Sequence, residues 1–303
     1  MHASFVIVNY NRKNDLLITI TKTQELIKSY TGQYEIVIVD NGSADDSAAA
    51  VQESFPDVVL IANKVNIGAP AWNFGFAKAK GDYFIIIDDD SHVESGLEEA
   101  LMYMDERPNI GVLALNVLTG PYTSAAWKME ENKNIVGFIG CGAILRRETY
   151  EKIGGYADWI FLYVNEWELG LRCVNAGYEV QYFADCKVIH RTSSLHRTTR
   201  RFEMLVAKHQ LAIIYKYFPF QRWKYIRRVV LNNLKGVIKA LEFRRAWYIL
   251  LGAREFLKMR QNLPYTPVSI SAQKLYIKAF PQARDSAFEF ILKRFRKSSS
   301  ETI

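Results

Sequence analysis

Four short runs of apolar, largely β-branched residues, separated by stretches with helical spacing, limit what the first half of this chain can fold into. They are Phe5-Val-Ile-Val8, Glu35-Ile-Val-Ile-Val39, Val58-Val-Leu-Ile61 and Tyr83-Phe-Ile-Ile-Ile87. Continuous apolar runs, rather than an apolar/polar alternation, mark strands buried on both faces, as in a parallel sheet. Helices are expected over 14–30, closed by Thr31-Gly32, after Ser43 with Asp46 three residues on, and over 69–80, stopped by Gly81. Ser95 and Glu98 have the spacing of a capping box opening a helix over 96–106, with Pro108 beyond its end. Further strands are expected at 110–117 and 135–145. Such alternation predicts a doubly wound α/β domain whose ligands sit at the carboxyl ends of its strands.

With 303 residues the chain has room for about two domains at roughly 150 residues each. A hydrophobic fraction of 49% with 23% charged residues excludes intrinsic disorder. Cys141, Cys173 and Cys186 lack C-x-x-C spacing and are expected to be buried thiols, giving neither a disulfide framework nor a zinc site. Met1-His-Ala-Ser-Phe5 runs straight into the first strand without the pattern of a secretory leader. The longest nearly uncharged apolar stretch, 136–145, is about half of a bilayer crossing, so no membrane span is expected. The charge is unevenly spread: residues 200–303 hold 22 Lys/Arg and 6 Asp/Glu, a net of +16, which leaves −9 for residues 1–199 out of the total of +7. An acidic body over 1–199 and a basic, helical, aromatic-rich region over 200–303 follow.

Two strand ends finish in acids, Val39-Asp40 and Ile87-Asp88-Asp89-Asp90. Three successive carboxylates repel one another unless a cation sits among them. In extended backbone Asp88 and Asp90 would face one side, an arrangement that clamps Mg²⁺ or Mn²⁺; a solvated acidic turn is the alternative. Upstream, Asn63, Asn66, Gly68, Asn73 and Gly75 would let a ligand approach backbone and read its polar edges. No glycine-rich phosphate loop is present, so a bound diphosphate would need a metal for neutralisation. Glu166 and Glu168 open a helical stretch, where the helix dipole alone favours acids, and Arg172 is spaced to pair with Glu168. His190 follows an apolar strand and reads as either a structural residue or a ligand, while His92, His196 and His209 receive no role.

In order, Ser4-Phe-Val-Ile-Val-Asn-Tyr-Asn11, Ile38-Val-Asp40-Asn-Gly-Ser43, the 66–75 stretch, Ile87-Asp88-Asp-Asp90, Gly140-Cys-Gly142-Ala-Ile-Leu-Arg-Arg147, Ile153-Gly-Gly155-Tyr156, Asn165-Glu166-Trp-Glu168-Leu-Gly-Leu-Arg172 and Val188-Ile-His190-Arg191 cover about two-thirds of the chain. This ordered set resembles the family 2 glycosyltransferases of GT-A fold, inverting enzymes of bacterial polysaccharide synthesis. The resemblance implies a Rossmann-like, mostly parallel sheet flanked by helices, with Asp88–Asp90 in place of the family's D-x-D motif. It implies that Asp40 and the backbone near Tyr10 hold the nucleoside, with Asn66 and Asn73 lining its pocket. Asp90 would be the principal ligand of Mn²⁺ or Mg²⁺, with Asp88 and Asp89 beside the nucleotide-sugar and His190 over the diphosphate or on the metal. Glu166 takes the second place of the family's E-D-x-D segment and would be the general base; Asn165 replaces its first acid, which should relieve repulsion and lower the base's pKa. Glu168 is left without a role.

The resemblance also implies a UDP- or dTDP-linked donor and a saccharide or lipid-linked acceptor, with the protein cytoplasmic and peripheral at the inner face of the cytoplasmic membrane. In the basic region, cations and aromatics interleave, as in Arg222-Trp-Lys-Tyr225 and Phe243-Arg-Arg-Ala-Trp-Tyr248, which suits an anionic membrane surface or ordinary packing helices better than nucleic acid. Two other functions remain open. A sugar-nucleotide nucleotidyltransferase would need a glycine-bearing loop after the first strand, where Asn9-Tyr-Asn-Arg-Lys13 stands; a non-catalytic assembly subunit would keep its activity in Glu166→Gln.

Overall fold

A computed structural model describes residues 2–119, 123–124, 135–191, 198–280 and 283, and the chain divides into two compact units, residues 1–197 and 198–303. In the first unit β1 (His2–Asn9) leads through α1 (Lys13–Lys28) to β2 (Gln33–Asp40), then α2 (Ser47–Ser54), β3 (Val59–Ala62), α3 (Ala71–Lys78) and β4 (Tyr83–Asp88). All four strands are parallel, in the order β3-β2-β1-β4. Successive side chains enter opposite cores: Phe5 and Ile7 join Leu16, Ile20 and Ile85 on one face, while Val6 joins Phe76, Phe84 and Ile86 on the other. Both faces are covered, which is why these strands are continuously apolar.

Beyond β4 the sheet becomes mixed. The chain continues through β5 (Ser91–Ser95), α4 (Leu97–Asp105), β6 (Ile110–Thr119), β7 (Thr123–Ser124), β8 (Ala143–Arg146), α5 (Arg147–Ile153), α6 (Asn165–Asn175) and β9 (Glu179–His190). The sheet runs on from β4 as β8-β6-β9-β5, with β6 and β9 parallel and the other pairings antiparallel. The strand expected over 135–145 is shorter than the sequence suggests: Ile135 makes one bridge to Val180 and β8 begins only at Ala143. The intervening glycines serve close packing, with Gly137 against the Trp167 ring and Gly140 against the Glu166 carboxylate.

The expected capping box does not form. Ser95 stays in the ladder opposite Lys187, Gly96 makes the turn at φ 80°, and α4 has no side-chain cap. Glu98 instead accepts from the Thr31 backbone N–H at 2.9 Å. At α2 the neighbour of the expected residue serves: Asp45, not Asp46, accepts from Ser47 N at 3.2 Å. All three cysteines are free and buried. Apart from Thr119 and β7, the expected acceptor loop over 119–134 lies outside the described residues, as do His196 and the polar tail 297–300.

The second unit consists of α7 (Thr199–Tyr217), α8 (Arg222–Lys239), α9 (Phe243–Met259) and α10 (Ile270–Ala279), with a 3₁₀ turn at Arg260–Asn262. Helices α7 to α9 meet around Ala207, Val237, Ala246 and Ile249. Phe218 packs edge-on against Tyr225 and Tyr276. Among the described residues no helix is long and apolar enough to cross a membrane.

Candidate active site

Asn9 lies opposite Asp40 across β1 and β2, and Val8 opposite Asp88 across β1 and β4, so three carboxyl ends meet at one edge of the sheet. The chain adds β2 on one side of β1 and β4 on the other, so the loops leaving these strands diverge and a crevice opens between them.

The acid triplet lies at this edge. Asp88 ends β4, and Asp89 and Asp90 turn the chain into β5, held by Ser91 Oγ, which accepts from Asp88 N at 2.8 Å and donates to Asp88 O at 3.1 Å. The turn replaces the extended geometry expected from the sequence. Asp89 accepts from Arg12 Nη1 at 2.8 Å and from Tyr10 N at 3.3 Å. Asp90, fully buried, accepts from the same Nη1 at 3.2 Å, and its Oδ1 lies 3.1 Å from His190 Nε2. Burial pushes Asp89 up to about 7 against the pull of Arg12, with Asp88 and Asp90 adding to the rise. Burial also works against the Arg12 charge, but the acids outweigh it and raise its pKa. From the far side Arg191 donates to Thr19 Oγ1 at 2.5 Å and to Asp89 O at 3.3 Å. The sequence reading gave neither arginine a role. For Arg12 a signal existed, since three carboxylates need a cation and the loop leaving the adjacent strand carries Arg12-Lys13.

Oxygen of Asp88, Sγ of Cys141 and a ring nitrogen of His190 lie within 4.8 Å of one another. His190 Nε2 is buried and makes no hydrogen bond, although Asp90 Oδ1 is close to it. Carboxylate oxygens with one imidazole nitrogen suit Mn²⁺, and the oxygens suit Mg²⁺. Burial and three nearby acids (Asp88, Asp90 and Glu166) raise the Cys141 thiol well above its usual range, so it stays protonated and serves as a neutral wall. Asp88 and His190 therefore fit a divalent cation in donor type and spacing, with Asp90 Oδ1 beside His190.

Glu166 stands in the first turn of α6, after Tyr163 and Val164 in left-handed backbone at φ 66° and 55°. Such conformations cost on the order of 1–3 kcal/mol each and persist only where the surroundings impose them. Here the Phe161 carbonyl is held by Ala69 N at 2.7 Å. The Glu166 carboxylate lies against Gly140, the neighbour of Cys141, so one dipeptide touches both Glu166 and the acid–histidine cluster. Burial raises Glu166 to about 7; a hydrogen bond from the Asn165 side chain lowers it and the charge of Asp88 raises it. The expectation of a lowered pKa is thereby corrected: Asn165 acts in the expected direction, but burial outweighs it.

The remaining candidates are bonded to other groups of the protein. Asp40 accepts from Asn9 Nδ2 at 2.9 Å and Ser43 N at 3.0 Å. Asn66 Oδ1 accepts from Asn41 Nδ2 at 3.0 Å and Gly68 N at 2.9 Å, tying the loop after β2 to the loop after β3. Asn73 brackets the Tyr156 backbone, donating to its carbonyl and accepting from its N–H, each at 2.8 Å. Asn73 is thus engaged in holding a loop. Glu168, fully buried, pairs with Arg172 at 2.7 Å, and Arg172 also donates to the carbonyls of Ile153 and Gly155.

The sequence profile of Glycosyl transferase family 2 matches residues 4–166, more than half of the chain. The chain belongs to that family. It is 25% identical over 224 residues to the O-antigen biosynthesis protein RfbC of Myxococcus xanthus, covering 63% of this chain and 17% of that protein. Over 92 residues it is 37% identical to an undecaprenyl-phosphate 4-deoxy-4-formamido-L-arabinose transferase of Pseudomonas savastanoi pv. phaseolicola, covering 29% of this chain and 27% of that one. The chain thus spans well under half the length of these curated relatives. Among solved structures, the mannosyltransferase PcManGT of Pyrobaculum calidifontis in complex with GDP-Man and Mn²⁺ superposes with a TM-score of 0.55 at 17% identity, covering 91% of this chain and 78% of that one. At that identity the likeness establishes the GT-A fold.

Proposed function

We propose that the chain is an inverting glycosyltransferase that moves a sugar from a nucleoside-diphosphate donor, UDP- or dTDP-linked, to a saccharide or lipid-linked acceptor. The observation that carries this reading is the Gly140–Cys141 contact: one dipeptide separates a carboxyl group with a pKa of about 7 from an acid–histidine set fit for a cation. Glu166 removes the proton of the acceptor hydroxyl, whose oxygen attacks the anomeric carbon from the face opposite the donor phosphate. The carbon–phosphate-oxygen bond breaks, the nucleoside diphosphate leaves with the electron pair, and configuration at that carbon inverts. A divalent cation held by Asp88, Asp90 and His190 would supply charge neutralisation for the departing diphosphate. Asp40, with Asn9 and Ser43, shapes the nucleoside end of the crevice, and Tyr10, Asn66 and Asp89 line it.

A lipid-linked acceptor is supported by the undecaprenyl-phosphate transferase among the relatives, and a bound Mn²⁺ by the PcManGT complex. Such an acceptor would keep the enzyme at the inner face of the cytoplasmic membrane, with its basic helical unit, residues 198–303, facing anionic lipid.

Thermal unfolding with UDP, dTDP, GDP or CMP, each with and without Mn²⁺, tests the reading. The expected result is a metal-dependent stabilisation by one nucleoside diphosphate, lost in Asp90→Asn and Asp88→Asn. Glu166→Gln should keep that stabilisation and lose turnover. No stabilisation by any nucleotide, or full activity in Glu166→Gln, would overturn it.

A further inference from the structure

In the second unit, α9 carries apolar side chains on two faces. Ala246, Ile249 and Phe256 are buried. On an adjoining face Phe243, Trp247, Leu250 and Leu257, at helical spacing, are 65%, 60%, 44% and 48% exposed, with the exposed Arg254 among them. A soluble helix needs one apolar face, so the second one calls for something to cover it. Just before α9, Leu241 turns the chain at φ 55° and is 74% exposed, at a corner where a polar residue or glycine would be expected. Beside this corner a cavity of about 610 Å³ is lined by Arg200, Arg244 and Arg245, with Tyr248 and one acid, Glu242. Arg245 is held by Glu203 and Glu242, whereas Arg200 and Arg244 are exposed.

We infer that the α8–α9 corner is an anchor for an anionic bilayer surface: Leu241, Phe243 and Trp247 enter the headgroup region, and the arginine-lined cavity takes a lipid phosphate. The inference deepens the lipid-linked acceptor reading and rests on it for the identity of the surface. Charge selects this occupant. Residues 200–303 carry a net +16, so a second copy meeting through the same face would bring like charges together. Aromatic rings flanked by arginines suit the boundary between headgroups and acyl chains, where the rings bury their apolar part and the cations meet phosphate. Phe243 and Trp247 have rings that bases can stack on, but the Leu241, Leu250 and Leu257 side chains beside them do not stack and suit acyl chains instead.

Co-sedimentation of the full chain with vesicles of phosphatidylcholine, alone or mixed with phosphatidylglycerol, tests the anchor at physiological salt. The parent should bind the mixed vesicles, and Phe243→Ser/Trp247→Ser should lower partitioning by about tenfold or more. Arg200→Glu/Arg244→Glu should remove the preference for phosphatidylglycerol. These side chains are exposed, so the unfolding temperature should stay at the parent's value. No vesicle binding by the parent, binding unchanged in the serine variant, or a dimer that the serine substitutions dissociate would each overturn the anchor. The same preparations, tested for nucleotide-induced stabilisation, separate the two readings. Vesicle binding without nucleotide binding removes only the transferase, and the converse removes only the anchor.

Discussion

A Cβ placed on Gly140 would lie 2.3 Å from Glu166 Oε1, while Cδ and Cγ of that glutamate would be 3.3 and 3.5 Å away, near ordinary contact. The Gly140→Ala substitution therefore requires the carboxylate end to withdraw by about 1 Å, and rotation about the side-chain torsions suffices. Stability should stay within about 1 kcal/mol of the parent, because the clash is with the far end of a flexible side chain and alanine restricts the unfolded chain. Displacing a reacting group by about 1 Å costs on the order of 10²-fold in rate. Nucleoside-diphosphate release from the sugar nucleotide selected by thermal shift should thus show kcat about 10²-fold lower, with nucleotide-induced stabilisation unchanged. Gly170→Ala is the contrasting substitution. Its Cβ would lie 1.8 Å from the Val136 carbonyl oxygen, which is backbone and cannot swing away, so this variant should lose about 1–3 kcal/mol or more. A Gly140→Ala protein that folds normally and keeps kcat within about threefold would refute the placement of Glu166 at the reacting centre.

Because Glu166 sits at about 7 in the fold against about 4.5 for a solvated glutamate, kcat/KM should rise with pH and level off above about 7, a dependence read from initial rates and absent in Glu166→Gln. The same shift has a stability consequence. The folded state holds the proton more tightly, so this group's contribution is full below about 4.5 and is lost as pH rises through about 7. Above pH 8, Glu166→Gln should be more stable than the parent by on the order of 2–3 kcal/mol in urea unfolding, and equally stable near pH 4. Arg12→Met leaves Asp89 and Asp90 without their shared cation and should cost about 3 kcal/mol in EDTA, with Mn²⁺ recovering part of it in a thermal scan. Asn73→Ala removes both bonds to Tyr156 and should cost about 2 kcal/mol by denaturant unfolding, while calorimetric nucleotide affinity stays unchanged.

The strands β1 to β4 were legible because a parallel sheet covered on both faces leaves an uninterrupted apolar run, and each run is bounded by glycine or a polar turn. The segment over 136–142 was not, since its apolar residues read as a strand while Gly137 and Gly140 are there for contact with α6, which no local pattern encodes. The capping box at Ser95 failed for a related reason: pairing of β5 with β9, far away in sequence, keeps Ser95 in the ladder. Within the site, the acids and His190 could be named from strand ends and order, but the partition of the triplet could not. That Asp89 meets Arg12 while Asp90 meets both Arg12 and His190 depends on a turn held by one hydroxyl, that of Ser91. Asn73 shows a different limit: an amide among small residues suggests a ligand contact, and both of its bonds go to Tyr156 backbone across 83 residues of sequence.

Position 165 shows how a sound local inference gives the wrong net sign. Replacing an acid by asparagine removes a repulsive neighbour and adds a donor, and both changes lower a nearby carboxyl's pKa, as the Asn165 hydrogen bond to Glu166 does. What the sequence conceals is the medium. Gly140 allows the carboxylate to press against backbone, and the next residue, Cys141, contributes a buried thiol to the cluster with Asp88 and His190. Desolvation disfavours the anion more than the hydrogen bonds from its own backbone N–H and from Asn165 favour it, and the balance falls at about 7. A carboxylate left at its ordinary value would be a weaker proton acceptor, so for this base burial is a working part of the site.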